Sequence, residues 1–229
     1  SVFSYYFIAD SMKKVLVVVI SMLILMPEVK SSTTSWSSYI LMDQNTGRVL
    51  LSKDKDSQRL IASITKIMTC ILALESGKSE DVVIVDDNAT SAYGSGIYIE
   101  VGEEIKLKDL LYGLMLRSGN DAASMIAAYV SGSIEEFVKL MNNKAKELGM
   151  KNTIFYTPSG LPTPHGNLSS VYDMAILTRY AMQNKEYREI VSTKKYKTAT
   201  NKKNYIWHNK NKLLKYDYIT GWKTGYTEE

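Results

Sequence analysis

The sequence has little of the side-chain chemistry that metal and thiol enzymes use. Its 229 residues include one cysteine and two histidines, with no Cys/His cluster. A single cysteine excludes an internal disulfide in any compartment, and zinc sites need grouped Cys, His or carboxylate ligands. A metal hydrolase is therefore a poor interpretation, and we expect neither a metal nor another cofactor.

The two histidines also argue against a Ser-His-Asp hydrolase. Neither His165 nor His208 lies in a Gly-x-Ser-x-Gly context or near a recognisable nucleophile. Cys70 lies in an apolar run, and a buried thiol in such surroundings stays protonated. We therefore expect Cys70 to be a core residue rather than a reactive one.

Strong net charge and a long apolar run are lacking as well. Lys13 and Lys14 precede the apolar stretch 15–26, whose twelve residues are too few to span a bilayer comfortably. This arrangement is typical of a secretory signal peptide with a cleavage site after Ser31, and an uncleaved membrane anchor is the alternative. The rest of the chain carries 25 basic and 22 acidic residues, too small an excess to indicate a nucleic-acid partner. The eight lysines between 194 and 215 are interpreted as a solvated face rather than as a binding patch.

The order of the predicted elements indicates an α+β domain. After a Ser/Thr-rich linker at 32–38, two short apolar runs at 39–42 and 48–51 flank a turn and predict a β-hairpin. Helical patterns fill the middle of the chain, and β-type residues return from Lys195 onward, with a predicted strand at 219–227. We expect the two chain ends to meet in one antiparallel sheet, with the helices packed on it.

Local signals set the boundaries of the helices in the middle of the chain. Ser133, followed three residues later by Glu136, forms a capping box and predicts a helix that ends before Gly149. The consecutive Gly, Asn and Asp residues at 119–121 predict a break between two helices. The prolines and glycines of 156–169 predict a long structured loop.

The stretch around Ser63 contains the first candidate site. Apolar residues recur at helical spacing from Ile64 to Leu74, so Ser63 and Lys66 lie on one face of the first helical turn. A hydroxyl beside an amine is a nucleophile beside a possible base, and a helix N-terminus favours a developing oxyanion. Ser-x-x-Lys alone is a weak signal, because serine is also a common helix cap.

Two further motifs follow in the chain, Ser118-Gly119-Asn120 and Lys223-Thr224-Gly225. Each of the three motifs is weak alone, and their ordered combination is strong. Over roughly residues 36–229 the chain resembles the low-molecular-weight D-alanyl-D-alanine carboxypeptidases, serine penicillin-binding proteins with a β-lactamase/transpeptidase-like fold. In that family further strands and a packing helix follow the Lys-Thr-Gly motif. The resemblance thus implies a catalytic domain at 39–229 without its last strands and C-terminal helix.

The resemblance implies catalytic roles for several of these residues. Ser63 would be the nucleophile that becomes an acyl ester, and Lys66 would be its general base, which requires a neutral amine. Burial and the charge of Lys223 would both lower the pKa of Lys66. Ser118 would relay a proton to the leaving amine. The backbone N–H groups of Ser63 and Tyr226 would form the oxyanion hole, as in the family pattern.

The other motif residues are expected to bind the substrate. Asn120 offers both a donor and an acceptor, so it can hold a substrate amide and also tether Lys66. Lys223 and Thr224 would bind the terminal carboxylate through charge and a hydroxyl group. Gly225 would let the substrate lie against the backbone of the predicted strand.

The function implied by the resemblance is removal of the terminal D-alanine from peptidoglycan stem peptides that end in D-Ala-D-Ala. The reaction would pass through an acyl-enzyme, and β-lactam antibiotics such as penicillins would acylate the same serine. The protein would be exported to the cell envelope and act at the extracytoplasmic face of the membrane. Membrane association would come from an uncleaved signal or a C-terminal anchor.

Two other functions share the same motifs. Class A β-lactamases have Ser-Asp-Asn as the middle motif and deacylate with a glutamate in a Glu-x-x-x-Asn loop, whereas 156–169 contains no glutamate. A non-catalytic penicillin sensor or wall-binding protein would react with penicillin but release no D-alanine. Both alternatives stay open from the sequence alone.

Overall fold

Helices and small antiparallel sheets follow one another along the chain, which confirms the α+β class. The computed structural model describes residues 37–90, 92–162 and 165–225. The predicted signal peptide at 1–31, and the predicted linker as far as residue 36, lie outside the described residues. None of the described helices is both long enough and apolar enough to cross a membrane.

The described strands pair as four separate two-stranded antiparallel sheets. The pairs are β1 (Tyr39–Met42) with β2 (Val49–Lys53), β3 (Arg59–Leu60) with β6 (Leu168–Ser169), β4 (Val82–Ile84) with β5 (Glu104–Lys106), and β7 (Lys195–Ala199) with β8 (Asn204–His208). The β1–β2 hairpin confirms the prediction at 39–51. Its turn is closed by Asp43, whose side chain accepts hydrogen bonds from the backbone N–H and hydroxyl of Thr46.

Six α-helices lie within the described residues. They are α1 (Lys66–Glu75), α2 (Leu107–Tyr112), α3 (Asn120–Ser131), α4 (Ile134–Glu147), α5 (Val171–Ala181) and α6 (Lys185–Ser192). A 3-10 turn, Ala62–Thr65, leads into α1, and a π-helical turn, Gly113–Arg117, continues α2.

Helix α1 is the central element of the core. All of its residues from Lys66 to Leu74 are buried, and it packs against α3, α4, α5 and α6. A helix that is surrounded on every side normally carries only apolar residues. Lys66 and Thr69 therefore need hydrogen-bonding partners supplied by neighbouring segments.

The predicted helix signals are confirmed in detail. The Ser133 hydroxyl accepts a hydrogen bond from the backbone N–H of Glu136 at the start of α4, and Gly149 adopts a positive φ of 74° just beyond its end. The break at 119–121 is present, but it is shorter than predicted. Asn120 and Asp121 already form the first turn of α3, because their backbones resume helical geometry directly after Gly119.

The single sheet predicted from the two chain ends is not formed by the described residues. In the hairpins β1–β2 and β7–β8 the two strands pair only with each other. The described part of the predicted strand at 219–227 pairs with no other strand. Gly221 has a φ of 114°, which lies outside the extended geometry that a strand requires. A side chain at Gly221 would lie 2.2 Å from the Val191 carbonyl oxygen, so this segment packs directly against the end of α6.

Candidate active site

Ser63 and Lys66 lie at the junction between the 3-10 turn and α1. Lys66 is the first residue of α1, and its Nζ donates a hydrogen bond to Ser63 Oγ over 3.2 Å. Ser63 is partly exposed, whereas Lys66 has no solvent contact. The candidate nucleophile is therefore accessible from solvent, while its candidate base is buried.

Lys66 has two further hydrogen-bond acceptors. Its Nζ donates to Asn120 Oδ1 over 2.7 Å and to the Ser159 carbonyl oxygen over 2.6 Å. The first partner comes from α3 and the second from the loop at 156–169. Three segments that are distant in sequence thus converge on one amine.

The environment of Lys66 disfavours its charged form. Burial lowers the pKa of Lys66 to about 6, with further lowering by the positive charges of Lys223 and Lys210 and a smaller opposing effect of Asp121. A pKa of about 6 leaves most of the amine neutral near pH 7. Lys66 can then accept the hydroxyl proton of Ser63.

Ser118 lies between the π-helical turn and α3 in an unusual backbone conformation. Its φ of 65° and ψ of 35° are left-handed, which is uncommon for a residue other than glycine. A side chain at the following Gly119 would lie 2.9 Å from Asp121 Oδ1, so a larger residue there would displace the buried Asp121 carboxylate. Strained backbone and π-turns are both frequent at functional sites, which agrees with a role for the buried Ser118.

Asn120 connects Lys66 to the segment at 93–99. Its Oδ1 accepts from Lys66, its Nδ2 donates to the Tyr93 carbonyl oxygen over 2.7 Å, and its backbone N–H donates to the Ser95 carbonyl oxygen. Because one end of the side-chain amide faces a donor and the other an acceptor, the orientation of the amide is determined. Within the part of the chain that the structure describes, Asn120 Nδ2 has one hydrogen-bond acceptor, which leaves its second N–H available.

The sequence reasoning missed Asp121, which supports the same segment. Its buried carboxylate accepts hydrogen bonds from the backbone N–H groups of Ile97 and Tyr98 and of its own neighbour Ala122. An acidic residue in the first turn of a helix is also favoured by the helix dipole. The available signal was an Asp placed directly after Ser-Gly-Asn at a helix start.

The Lys-Thr-Gly segment passes beside the turn that carries Ser63. A side chain at Gly225 would lie 2.8 Å from Ile64 Cγ1 and 3.2 Å from the Ile61 carbonyl oxygen. Lys223 is buried, with its Nζ donating to the Thr224 carbonyl oxygen, and Thr224 is exposed. Burial, and then the charge of Lys210, lower the pKa of Lys223 to about 8.

Tyr226, the predicted second donor of the oxyanion hole, lies outside the described residues. Lys210, one of the lysines predicted to form a solvated face, is exposed as expected, and it also lies near the site. Its Nζ donates to Ser95 Oγ over 3.3 Å, and its charge lowers the pKa values of both Lys66 and Lys223.

The described residues contain no cluster of His, Cys, Asp and Glu that could hold a metal ion.

Comparisons with known proteins agree with this arrangement. The sequence pattern of a family described as D-alanyl-D-alanine carboxypeptidase, peptidase S11, matches residues 26–229. The D-alanyl-D-alanine carboxypeptidase DacF of Bacillus subtilis is 43% identical over 199 residues, which cover 84% of this chain and 51% of DacF. This chain therefore spans about half the length of that relative.

Solved structures give the same result for the fold. The crystal structure of D-alanyl-D-alanine carboxypeptidase from Mycobacterium tuberculosis H37Rv superposes with a TM-score of 0.80 at 31% identity, covering 84% of this chain and 73% of that one. A mutant of the Streptomyces K15 DD-transpeptidase gives a TM-score of 0.78 at 31% identity, covering 84% and 81%. Both folds thus extend over most of the described residues.

Proposed function

Because the chain belongs to the D-alanyl-D-alanine carboxypeptidase family, peptidase S11, we propose that it is a serine carboxypeptidase that removes the terminal D-alanine from peptidoglycan stem peptides. The observation that carries the proposal is Lys66, a buried amine with a pKa of about 6 that is hydrogen-bonded to Ser63 Oγ. A serine hydroxyl becomes an effective nucleophile only beside such a base.

In the first half of the reaction Ser63 is acylated. Ser63 Oγ attacks the carbonyl carbon between the two D-alanines while the neutral Lys66 takes the hydroxyl proton. The resulting oxyanion is stabilised by backbone N–H groups, for which Ser63 and Tyr226 are the proposed donors. The C–N bond then breaks, the proton passes from Lys66 through Ser118 to the leaving amine, and free D-alanine departs.

In the second half of the reaction water releases the shortened peptide. Lys66 takes a proton from the water as its oxygen attacks the ester carbonyl. The bond to Ser63 Oγ then breaks, and the same proton returns to that oxygen, which restores the hydroxyl. Atoms and charge therefore balance over the cycle without any cofactor.

The proposed substrate contacts follow from the charge distribution. Lys66 is mostly neutral near pH 7, whereas Lys223, with a pKa of about 8, keeps most of its charge and can attract the terminal carboxylate. Thr224 adds a hydroxyl group, and Gly225 adds close access to the backbone. The free N–H of the Asn120 amide can bind the substrate's amide carbonyl.

A β-lactam antibiotic would acylate Ser63 and leave slowly. Lys66 is hydrogen-bonded to a hydroxyl, an amide oxygen and a backbone carbonyl, and none of these partners among the described residues is a carboxylate. The carboxylate of Asp121 accepts backbone N–H groups instead. The absence of a carboxylate beside Lys66 argues for a carboxypeptidase rather than a class A β-lactamase.

We place the action of the protein at the extracytoplasmic face of the membrane, where peptidoglycan stem peptides occur.

The proposal is tested by comparing two substrates. The purified protein should release D-alanine from a peptide ending in D-Ala-D-Ala faster than it hydrolyses penicillin, and Ser63→Ala should abolish both reactions. Penicillin turnover faster than peptide turnover would reassign the protein as a β-lactamase. A penicillin adduct without any D-alanine release would make it a sensor.

A further inference from the structure

Two buried threonines lie on either side of Lys66 in the chain, Thr65 at the end of the 3-10 turn and Thr69 in α1. Thr65 and Thr69 are four residues apart, so their side chains lie on the same helical face, and both are fully buried. Thr69 Oγ1 donates to the Pro158 carbonyl oxygen over 2.6 Å, and Thr65 Oγ1 accepts from Asn167 Nδ2 over 2.9 Å. A helical threonine commonly bonds to its own helix, whereas these two hydroxyls hold the loop at 156–169.

Asn167 completes this attachment from the loop side. Its Oδ1 accepts from the backbone N–H groups of Tyr156 and Thr157, and its Nδ2 also donates to the Thr157 carbonyl oxygen. The side chain is almost fully buried and its donors and acceptor are all used. We call Thr65, Thr69 and Asn167 the loop clamp.

The loop clamp encloses the Ser159 carbonyl that contacts Lys66. Pro158, held by Thr69, directly precedes Ser159, and Gly160 directly follows it. A side chain at Gly160 would lie 1.9 Å from the Ala62 carbonyl oxygen, so the loop contacts the residue next to Ser63 without a gap. The position of the Ser159 carbonyl is thus fixed on both sides.

The direction of the Lys66 lone pair follows from its three partners. A neutral amine has two N–H groups and one lone pair. Asn120 Oδ1 and the Ser159 carbonyl oxygen can only accept hydrogen bonds, so they take the two N–H groups. In this neutral form the lone pair is left for Ser63 Oγ, so across the same 3.2 Å contact the hydroxyl becomes the donor and Lys66 the acceptor.

We propose that the loop clamp positions the base: Thr65, Thr69 and Asn167 hold the Ser159 carbonyl against Lys66 so that its lone pair faces the Ser63 hydroxyl. These residues touch neither substrate nor the reacting atoms and are positioning residues. The inference rests on the proposed function, because it assigns these three residues a positioning role in the acylation step. A purely structural role would stabilise the fold without any selective effect on acylation.

The experiment compares two variants of one threonine. Thr69→Val keeps the shape but removes the hydroxyl, and Thr69→Ser keeps the hydroxyl. Rapid-mixing kinetics with penicillin separate the dissociation constant of the reversible complex from the acylation rate constant. Measured near pH 7, where Lys66 is mostly neutral, Thr69→Val should slow acylation by about 10- to 100-fold, since a misplacement of about 1 Å can cost roughly 100-fold. The dissociation constant should stay unchanged, and Thr69→Ser should restore most of the rate.

Thr178→Val is the matched control. It also removes a buried threonine hydroxyl, which donates to the Met174 carbonyl oxygen within α5 and makes no hydrogen bond to the loop clamp. We expect it to acylate like the parent protein even if its melting temperature falls. If Thr69→Val does not fold, Thr65→Val, which removes the acceptor of Asn167, replaces it with the same expected result.

Three results would overturn the inference. Acylation by Thr69→Val at the parental rate would show that the loop clamp does not set the geometry of the base. A loss confined to the dissociation constant, or a Thr69→Ser variant as slow as Thr69→Val, would show a structural role. A parent protein that forms no penicillin adduct would refute the proposed function itself, and this inference with it.

Discussion

At the scale of single residues, the site depends on one amine that is kept away from water. Lys66 is fully buried, and lysine is almost never fully buried in proteins unless it is paired. Its partners are neutral oxygens rather than a carboxylate. No directly bonded negative charge therefore offsets the lowering of its pKa by burial. Groups perturbed in this way concentrate at functional sites.

The two lysines predict a bell-shaped pH dependence of acylation by an anionic penicillin. The rate should rise as pH passes about 6, because Lys66 loses its proton and becomes a base. It should fall as pH passes about 8, because Lys223 loses the charge that attracts the carboxylate. The measurement is the second-order acylation rate over this range. A single rise near the ordinary pKa of lysine would contradict the assignment.

Lys210 offers a matched test of the same electrostatics. Its positive charge lowers the pKa of Lys66, so Lys210→Gln should let Lys66 keep its proton to a higher pH. The acidic limb of the rate profile should therefore shift to higher pH. Lys212→Gln, at an exposed position two residues further along the chain at the start of a 3-10 turn, is the control and should leave that limb in place.

At the scale of elements, the loop at 156–169 and the start of α1 behave as one structural unit. Gly160 and Gly132 both have left-handed backbones, with φ of 83° and 85°. A side chain at Gly160 would collide with the Ala62 carbonyl oxygen, whereas one at Gly132 would meet nothing within 4 Å. The two glycines therefore differ in their surroundings and not in their backbone strain.

This difference predicts distinct effects of two alanine substitutions. Gly132→Ala should lower the free energy of unfolding by about 1–2 kcal/mol, the usual penalty for a left-handed residue with a side chain, and should acylate normally. Gly160→Ala should lose more stability and acylate at least about tenfold more slowly, because the turn before Ser63 has to shift. Denaturant unfolding and penicillin kinetics measure both quantities. Equal effects of the two substitutions would show that the loop and the turn are independent.

Elements defined by local signals could be predicted from the sequence. The Asp43 turn, the capping box at Ser133 and the glycine at the end of α4 were found, because each depends on residues within one or two turns. The contact between Lys66 and Ser159 could not be predicted in this way, because it joins residues far apart in the sequence. The Ser159 carbonyl is a backbone group 93 residues away, and no side-chain pattern marks it.

At the scale of the whole molecule, helix α1 organises the site because it is buried on all sides. Ser63 and Lys66 meet Asn120 from α3, Ser159 from the long loop and the Lys223 segment only in the folded chain. The ordered motifs predicted Ser63, Lys66, Asn120 and Lys223 through a family resemblance, but not Ser159. Spacing alone could not predict that Lys210 would join the site, since its position depends on how the segment after β8 packs against Leu116.

The sheet arrangement could not be predicted to the same depth. Two short apolar runs around a turn predicted the first hairpin, and β-type residues predicted strands from Lys195 onward. The pairing between these strands and the first hairpin depends on tertiary packing that short strands do not specify. The segment at 219–225 illustrates the difficulty. Its β-type composition predicted a strand, whereas Gly221 turns it out of extended geometry and against the backbone of Val191.

The central claim is that this fold converges on one nucleophile, Ser63, with Lys66 as its base. The most direct measurement is intact mass after incubation with penicillin, followed by peptide mapping of the modified residue. The account predicts a single adduct on Ser63, absent from Ser63→Ala and retained in Ser133→Ala, a serine that caps α4. An adduct that persists in Ser63→Ala, or that maps to another residue, would contradict it.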